Sequence, residues 1–303
     1  MLLALAAPLP AVDMLYVTMN NNTIVSYDTT GNVGSTIAAS KYTFASTNLS
    51  GPRGLAFDTS GNLYAANYGD DTISKFNSAG GYVSNITSNL GSPFGLAFDT
   101  SGNLYAANST FNTISKFNSS GVYQSNITSN LNRPFGLAFD SSGNIYAANT
   151  GGGEPPGAAA NTISKFKYTF ASTNLSGPRG LAFDTSGNLY AANYGNNTIS
   201  KFNSSGAYVS VGSIGSTNLS GPAGLAFDTS GNLYAANYSN NTISKFDSSG
   251  TFLTSWSTGT APAAPMFLAF KTVTVPEPST YALAAIATGV MAYLARRRKA
   301  RTA

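Results

Sequence analysis

The sequence of 303 residues contains no cysteine and no histidine, and its only glutamates are Glu154 and Glu277. Without cysteine, neither a disulfide framework nor a thiolate metal site can form. Without histidine, the chain lacks both the commonest general base and the commonest metal ligand of proteins. We therefore expect no metal site, no cofactor and no enzymatic activity.

Charge is also scarce, since only 9% of the residues are charged and the net charge is +4. Five of the sixteen basic residues lie in the last eight positions, which leaves eleven Lys and Arg against twelve Asp and Glu in residues 1–295. A protein that binds nucleic acid needs a basic patch on its folded surface to neutralise phosphates. Because the excess positive charge is confined to the C-terminal tail, we expect no nucleic-acid partner.

What the sequence does contain is a repeat. GLAFDTSGNLYAAN occupies 54–67 and returns at 95–108, 180–193 and 224–237, with a near copy at 136–149. Successive copies begin 41 or 44 residues apart, a period typical of propeller blades and also of helical HEAT and armadillo repeats. Short apolar runs such as GLAFD and NLYAAN are separated by turn residues, and no ten-residue window of the repeats carries a helical stripe without a Gly or Asn breaking it. Each repeat is therefore predicted to be a four-stranded antiparallel sheet.

The repeats predict an all-β fold, a six-bladed β-propeller over residues 13–275. A single four-stranded sheet cannot bury both of its faces, so the copies must pack face to face around an axis. Five blades come from the repeated phrase, and the first comes from LYVT at 15–18 with NNTIVSYD at 21–28. This first blade lacks an inner strand, whereas FLAFKTVTV at 267–275 is an inner strand without a blade. We therefore expect N- and C-terminal strands to close the ring in one shared blade.

The repeated positions resemble the NHL repeat, whose unit reads Pro-x-Gly-(hydrophobic)-Ala-x-Asp-x-x-Gly-Asn-(hydrophobic)-Tyr-(hydrophobic)-Ala, followed by Asn-x-Ile-x-x-Phe. The resemblance covers about 15–275 and is carried in the second blade by Pro52, Gly54, Asp58, Gly61, Asn62, Tyr64, Asn67, Ile73 and Phe76. Members of this family are six-bladed propellers that act mostly as binding modules, with some enzymes among their relatives. The resemblance thus implies a binding scaffold, with a metal-dependent hydrolase or lactonase of the gluconolactonase type as the alternative.

Two features interrupt the regular pattern. The insertion GGGEPPGAAA at 151–160 lengthens one loop, and the chain then reaches KYTF at 167–170 without the usual NSSG turn. The sequence therefore does not decide whether that blade has an outer strand. A block of 29 residues also stands identically at 41–69 and 167–195, as an internal duplication would leave it.

The C-terminal segment differs from the repeats. Residues 279–295 carry no charge and would span about 25 Å as a helix, slightly less than a hydrocarbon core of about 30 Å. A basic cluster follows directly, and such clusters stay on the cytoplasmic side of a membrane. A transmembrane helix is therefore predicted here, with a buried core helix as the alternative.

The order of Pro-Glu-Pro, apolar segment and basic cluster at 276–303 resembles the PEP-CTERM sorting signal. The resemblance implies that an exosortase-type enzyme processes the chain at the inner membrane and delivers it to the cell surface or an exopolysaccharide matrix. At the other end, 1–12 is interpreted as the remnant of a secretory signal, because it is apolar but lacks a positive n-region. The sorting-signal residues are Val275, Pro276, Glu277, Pro278, Arg296, Arg297 and Arg298.

Variation among the repeats is concentrated on one predicted face. Antiparallel order places the loops between blades and the loops between second and third strands on that face. Arg and aromatic side chains on adaptable loops are typical of interfaces and sugar-binding surfaces, although loop drift after duplication explains the variation equally well. The candidate residues for binding a protein or polysaccharide are Arg53, Tyr68, Phe94, Phe111, Arg133, Phe135, Arg179, Tyr194 and Tyr238.

Two recurring charged positions have simpler interpretations. The aspartate of each phrase, such as Asp58, begins a DTSGN-type turn, and we expect its side chain to cap the turn backbone. The lysine of each TISKF strand, such as Lys75, is predicted to lie solvated near the rim.

Overall fold

The computed structural model describes residues 12–29, 41–151, 161–165, 168–209, 214, 216–259 and 264–273. These residues form six four-stranded antiparallel sheets, which pack as blades around a central axis and confirm the predicted all-β, six-bladed β-propeller. Within these ranges no helix is long and apolar enough to cross a membrane. The predicted transmembrane helix, the sorting-signal residues and residues 1–11 of the predicted signal remnant lie outside the described residues.

Each blade has four strands, called a to d from the axis outward. In the first blade, strands b to d are β1 Val12–Met19, β2 Thr23–Asp28 and β3 Lys41–Ala45. The second blade consists of β4 Pro52–Phe57, β5 Leu63–Asn67, β6 Thr72–Phe76 and β7 Tyr82–Ile86. The third blade consists of β8 Pro93–Phe98, β9 Leu104–Asn108, β10 Thr113–Phe117 and β11 Tyr123–Ile127. In the other three they are β12 Pro134–Phe139, β13 Ile145–Asn149, β14 Thr162–Lys165 and β15 Tyr168–Ala171; β16 Pro178–Phe183, β17 Leu189–Asn193, β18 Thr198–Phe202 and β19 Tyr208–Val209; and β20 Pro222–Phe227, β21 Leu233–Asn237, β22 Thr242–Phe246 and β23 Phe252–Ser257. The last strand is β24 Pro265–Val273, and a 3-10 turn covers Ser216–Asn218.

The ring closes as the sequence predicts. Strand β24 is the inner strand of the first blade and pairs antiparallel with β1, with Val12 opposite Val273 and Leu15 opposite Phe270. Closing a propeller with strands from both chain ends removes two exposed sheet edges.

Asp13 on β1 links the closing blade to the sixth blade. Its carboxylate accepts hydrogen bonds from the backbone N–H and the hydroxyl of Thr229, at 2.8 and 2.5 Å, and from the hydroxyl of Thr272 at 2.7 Å. Burial raises the pKa of Asp13, but these hydrogen bonds and the nearby Lys245 outweigh it, so that the net pKa is lowered. The charged form of Asp13 is therefore favoured at the seam.

The inner strands approach one another most closely at a glycine near the start of each. A Cβ placed on Gly54 would collide with the carbonyl oxygen of Phe94 in the next blade. The same collision with the following inner strand would occur at the equivalent glycines, which are Gly95, Gly136, Gly180 and Gly224. Phe267 takes this position in the first blade and lines the axis together with these strands.

A buried polar cluster joins strands b and c to the loop before each of the five repeated blades. In the second blade, the Asn67 amide donates to Thr72 Oγ1 and Ser74 Oγ, both at 2.8 Å, and its oxygen accepts from Ser50 N–H at 3.3 Å. Ser74 Oγ in turn donates to the Asn48 carbonyl at 2.5 Å. The equivalent asparagines are Asn108, Asn149, Asn193 and Asn237. The first blade has Met19 and Val25 instead of this Asn and Ser.

The DTSGN-type turns lie on the lower face, opposite the loops between blades. Asp58 accepts hydrogen bonds from the backbone and side chain of Asn62, both at 2.8 Å, which confirms its predicted capping role. The prediction that the lysines lie solvated is wrong, because Lys75 Nζ lies 3.7 Å from Asp58 Oδ2 and 5.1 Å from the ring centroid of Tyr64. The other four aspartates form the same pairs with Lys116, Lys165, Lys201 and Lys245.

The fourth blade keeps its outer strand despite the insertion, since β15 pairs with β14. Strand β15 belongs to the second copy of the duplicated block, and β3 belongs to the first. Each copy therefore supplies one outer strand and the inner hairpin of the next blade. Because the copies are three blades apart in a six-bladed ring, they lie on opposite sides of the axis.

A chain that ends at residue 260 lacks β24. Removing this strand exposes an edge of β1 and the apolar faces beside it, so we expect that chain to aggregate or to lose cooperative unfolding. A chain that ends at residue 275 should unfold cooperatively. Calorimetry with light scattering compares the two, and equal melting would contradict closure by β24.

The Asn–Thr–Ser cluster can be tested with the residues of the first blade. We expect the double variant Asn67→Met/Ser74→Val to be destabilised by about 1 kcal/mol less than the sum of its single variants, because the two side chains hydrogen-bond each other. Denaturant unfolding measures the free energies. Asn67→Met combined with Ser244→Val, the equivalent serine of the sixth blade, is the control and should be additive. Additivity in both pairs would count against the cluster.

The upper face as a candidate binding site

The loops between blades and the b–c loops meet on one face, here called the upper face. Tyr68 N–H donates to the Gly51 carbonyl at 3.2 Å, and Tyr194 and Tyr238 repeat this bond in their blades. In five of the b–c loops, one residue with a left-handed backbone also bonds the next blade, as Asn22 Oδ1 does with Gly51 N–H at 2.8 Å. The equivalent pairs are Asp71 with Ser92, Asn112 with Arg133, Asn161 with Gly177, and Asn197 with Gly221. These bonds fix the upper-face loops to the blades.

Six residues, one from each blade, surround the upper end of the axis and are here called the mouth residues. Each directly precedes an axial glycine or Phe267, and they are Arg53, Phe94, Phe135, Arg179, Ala223 and Met266. The rings of Phe94 and Phe135 are stacked with centroids 3.8 Å apart, and each residue is only 6% exposed. They pack with Met266 and Phe267 and form an apolar floor at the mouth.

Two arginines of the mouth occupy equivalent positions in the duplicated block. The guanidinium of Arg53 lies 5.3 Å from the ring centroid of Tyr68 and 5.7 Å from that of Phe94. The guanidinium of Arg179 lies 3.4 Å from Tyr194 and 5.5 Å from Phe135. Both are cation–π contacts, which hold a guanidinium without neutralising it.

The electrostatic surroundings of these arginines are unfavourable for a cation. Burial lowers the pKa of Arg179, Tyr194 raises it, and the neighbouring Arg53 lowers it further. Burial also lowers the pKa of Arg53, whose Nε and Nη1 atoms are buried without a hydrogen-bond partner among the described residues. Because an arginine remains protonated in proteins, these groups keep their charge.

A cavity of about 200 Å³ opens beside Arg179, between the fourth and fifth blades. Its lining residues are Arg133, Phe135, Thr150, Gly151, Gly177, Arg179 and Tyr194. The guanidinium of Arg133 lies 6.0 Å from the centroid of Phe135, so two cations lie within 6.0 Å of this ring. The cavity therefore combines positive charge with aromatic and open backbone surface.

The structure brings most of the nine candidate residues together. Arg53, Tyr68 and Phe94 form one group, Arg133, Phe135, Arg179 and Tyr194 form another, and Phe94 and Phe135 join them by stacking. Tyr238 packs against the apolar floor and lies 6.3 Å from Tyr194 between ring centroids. Phe111 stands over Gly91 and is 56% exposed.

Sequence reasoning did not place Met266 among these residues. It precedes Phe267 as Arg53 precedes Gly54, so aligning FLAFKTVTV at 267–275 with the repeated phrase, position by position, would have found it. Sequence reasoning also took Phe94 and Phe135 for surface groups, whereas the structure buries them as the floor. A binding role for any of these residues stays a prediction.

Two family models match the chain. The NHL repeat matches residues 175–202, and the PEP-CTERM protein-sorting motif matches residues 274–299. No curated protein sequence shows significant similarity to the chain.

Several solved structures are similar in fold. A chain of the nidogen/laminin complex has a TM-score of 0.71 and 19% identity, and the match covers 86% of this chain and 98% of that one. A streptogramin B lyase has a TM-score of 0.63 and 16% identity, covering 83% and 82%. A gluconolactonase from Xanthomonas campestris has a TM-score of 0.60 and 16% identity, covering 87% and 91%. At these identities the likeness shows the fold alone.

The fold and the two family matches agree with each other. The described residues form six blades, the NHL match covers strands of the fifth blade, and the sorting motif follows the last strand. A PEP-CTERM motif indicates export and sorting to the cell surface. The chain is thus a six-bladed β-propeller of NHL-type repeats that ends in a PEP-CTERM protein-sorting motif.

Proposed function

We propose that this protein is a cell-surface or matrix-associated scaffold whose upper face binds a protein or polysaccharide, and that an exosortase-type enzyme processes its C-terminal segment. One observation carries the binding proposal: all three arginines of residues 1–295 lie on the upper face, beside aromatic rings. The lower face repeats the same Asp–Lys pairs in five blades. Diversity on one face of an otherwise uniform ring supports a ligand surface there.

Binding is proposed rather than catalysis because of the groups that this face presents. Guanidinium groups stay protonated and cannot act as general bases near neutral pH. The recurring aspartates are engaged in turns and ion pairs on the lower face. The alternative of a metal-dependent hydrolase or lactonase has only the fold-level likeness to a gluconolactonase in its favour.

The sorting proposal rests on the matched motif and the sequence that follows it. Pro276 and Pro278 favour an extended approach that keeps Glu277 accessible. The arginines that follow the uncharged segment 279–295 would stay on the cytoplasmic side, because positive charge resists translocation. The protein would therefore be held in the inner membrane until it is cut.

Replacing Pro276, Glu277 and Pro278 by Ala should leave uncut protein in the inner membrane of an exosortase-bearing host. The unaltered protein should end close to residue 278 and reach the surface or the matrix. Cell fractionation and mass spectrometry of the C-terminal peptide make the comparison. Replacing Arg296, Arg297 and Arg298 instead should weaken retention or orientation. Intact Ala303 on all exported protein would refute processing.

Two exposed aromatic residues test whether the upper face binds. Tyr68 and Phe111 are 40% and 56% exposed there, and Tyr82 and Tyr168, 44% and 54% exposed, lie on outer strands. Tyr68→Ala/Phe111→Ala should reduce retention on a glycan array or on immobilised envelope proteins of the host by tenfold or more, about 1.4 kcal/mol. The matched control Tyr82→Ala/Tyr168→Ala should leave it unchanged. Equal losses in the two pairs would contradict an upper-face site.

A further inference from the structure

The cavity between the fourth and fifth blades concentrates unneutralised positive charge. Arg133 and Arg179 both line it, and no carboxylate is among its described lining residues. The lysines of the five repeated blades, by contrast, each lie within 4.0 Å of an aspartate. Arg179 is half-buried with Arg53 as a neighbouring cation, whereas Arg133 is exposed at the edge of the cavity. An anion bound in the cavity would offset the unfavourable positive charge of Arg179.

The backbone of Arg133 is a second, independent observation. This residue has a φ of +47°, in the left-handed region that side chains other than those of glycine and asparagine rarely adopt. The equivalent positions of four other blades are Gly51, Ser92, Gly177 and Gly221, also with positive φ. An arginine therefore stands at a position that the fold fills most easily with glycine. Strained backbone of this kind concentrates at functional sites.

Arg179 is oriented before any ligand arrives. Its guanidinium lies 3.4 Å from the Tyr194 ring, a contact that fixes a planar donor group in place. Arg133 is held by its backbone, because its N–H donates to Asn112 Oδ1 at 2.7 Å. The guanidinium of Arg179, which Tyr194 holds, and the exposed guanidinium of Arg133 both suit a carboxylate, which can accept paired hydrogen bonds from each fork.

The rest of the lining indicates what carries the carboxylate. A volume of about 200 Å³ is below the roughly 300–1,000 Å³ of pockets that enclose a drug-sized ligand, so one ring is a suitable size. The Thr150 hydroxyl donates to the Arg133 carbonyl at 3.3 Å and can still accept, and the Gly177 carbonyl, which accepts from Tyr194 N–H at 3.2 Å, keeps a second lone pair. These neutral polar groups match the hydroxyls that flank the carboxylate of a sugar acid.

We infer that this cavity binds one uronic acid residue of an acidic saccharide, with the carboxylate between Arg133 and Arg179 and the ring hydroxyls toward Thr150 and the glycine backbone. The inference rests on the proposed binding function and names its ligand class. A peptide carboxylate is the competing ligand, and it lacks the adjacent hydroxyls that the remaining lining would satisfy.

The duplicated block supplies a matched control within the chain. Arg53 has the same local sequence as Arg179 and the same kind of contact with a tyrosine, here Tyr68. The positions equivalent to Arg133 and Phe135, however, hold Ala264 and Met266 beside Arg53. Arg53 therefore has no second arginine at the corresponding position and does not line the cavity, so it should contribute less to uronate binding than Arg179, although the two charges are neighbours.

The experiment uses the full chain in a nonionic detergent and isothermal titration at low salt. The probes are trigalacturonate, its fully methyl-esterified form and a tripeptide that contains glutamate. We expect trigalacturonate to bind at least tenfold more tightly than the ester, which keeps the ring and loses the charge. Arg179→Gln and Arg133→Gly should each weaken binding tenfold or more, whereas Arg53→Gln should weaken it less than Arg179→Gln does, because Arg53 does not line the cavity.

Arg133→Gly also separates binding from folding. Because glycine adopts a positive φ without strain, this variant should melt at the same temperature as the unaltered protein or higher while losing the ligand. Equal affinity for acid and ester, or equal losses from Arg53→Gln and Arg179→Gln, would overturn the inference. Tighter binding of the tripeptide would assign the site to peptides instead. Binding of a neutral ligand through Tyr68 and Phe111 alone would refute the uronate site and leave the proposed function standing, while no upper-face ligand of any kind would refute both.

Discussion

The contact between neighbouring inner strands at the axis is the constraint on which the whole molecule depends. At Gly54 and its equivalents, the backbone of the next blade stands where a Cβ would be. Glycine at these points in five blades, with Phe267 in the first, lets six sheets converge around a central pocket of about 50 Å³. Each blade contacts its neighbour in the same way and at a similar distance. The same small and apolar residues are therefore required in every copy of the repeated phrase.

This constraint also decides where the chain can vary. The residue before each of these glycines lies at the upper end of the axis, where the blades are less crowded. These are the mouth residues, and they differ from blade to blade. The strand interiors cannot differ in the same way, because they pack against two blades at once. Even there, the first blade replaces a buried Asn and Ser together by Met19 and Val25, which keeps polar groups either mutually bonded or absent.

The sequence predicted the architecture well because periodicity and turn chemistry are local signals. It predicted six blades, closure by β24 and the capping role of Asp58, since each depends on neighbours in the chain or on the count of repeats. It did not predict the contact of Lys75 with Asp58 and Tyr64, which requires the register of three strands. The burial of Phe94 and Phe135 was also missed, because side chains from separate blades meet only once the ring has closed.

The position of Val12 opposite Val273 has a consequence for orientation. Strand β24 begins beside the mouth residues and runs to the lower face, where β1 also begins. Both ends of the propeller are therefore at one point, on the side away from the arginines. A tether that continues from Val273 would attach the propeller by its lower face and present the mouth to the surrounding medium, so that large partners could approach it without steric obstruction from the layer that holds the chain.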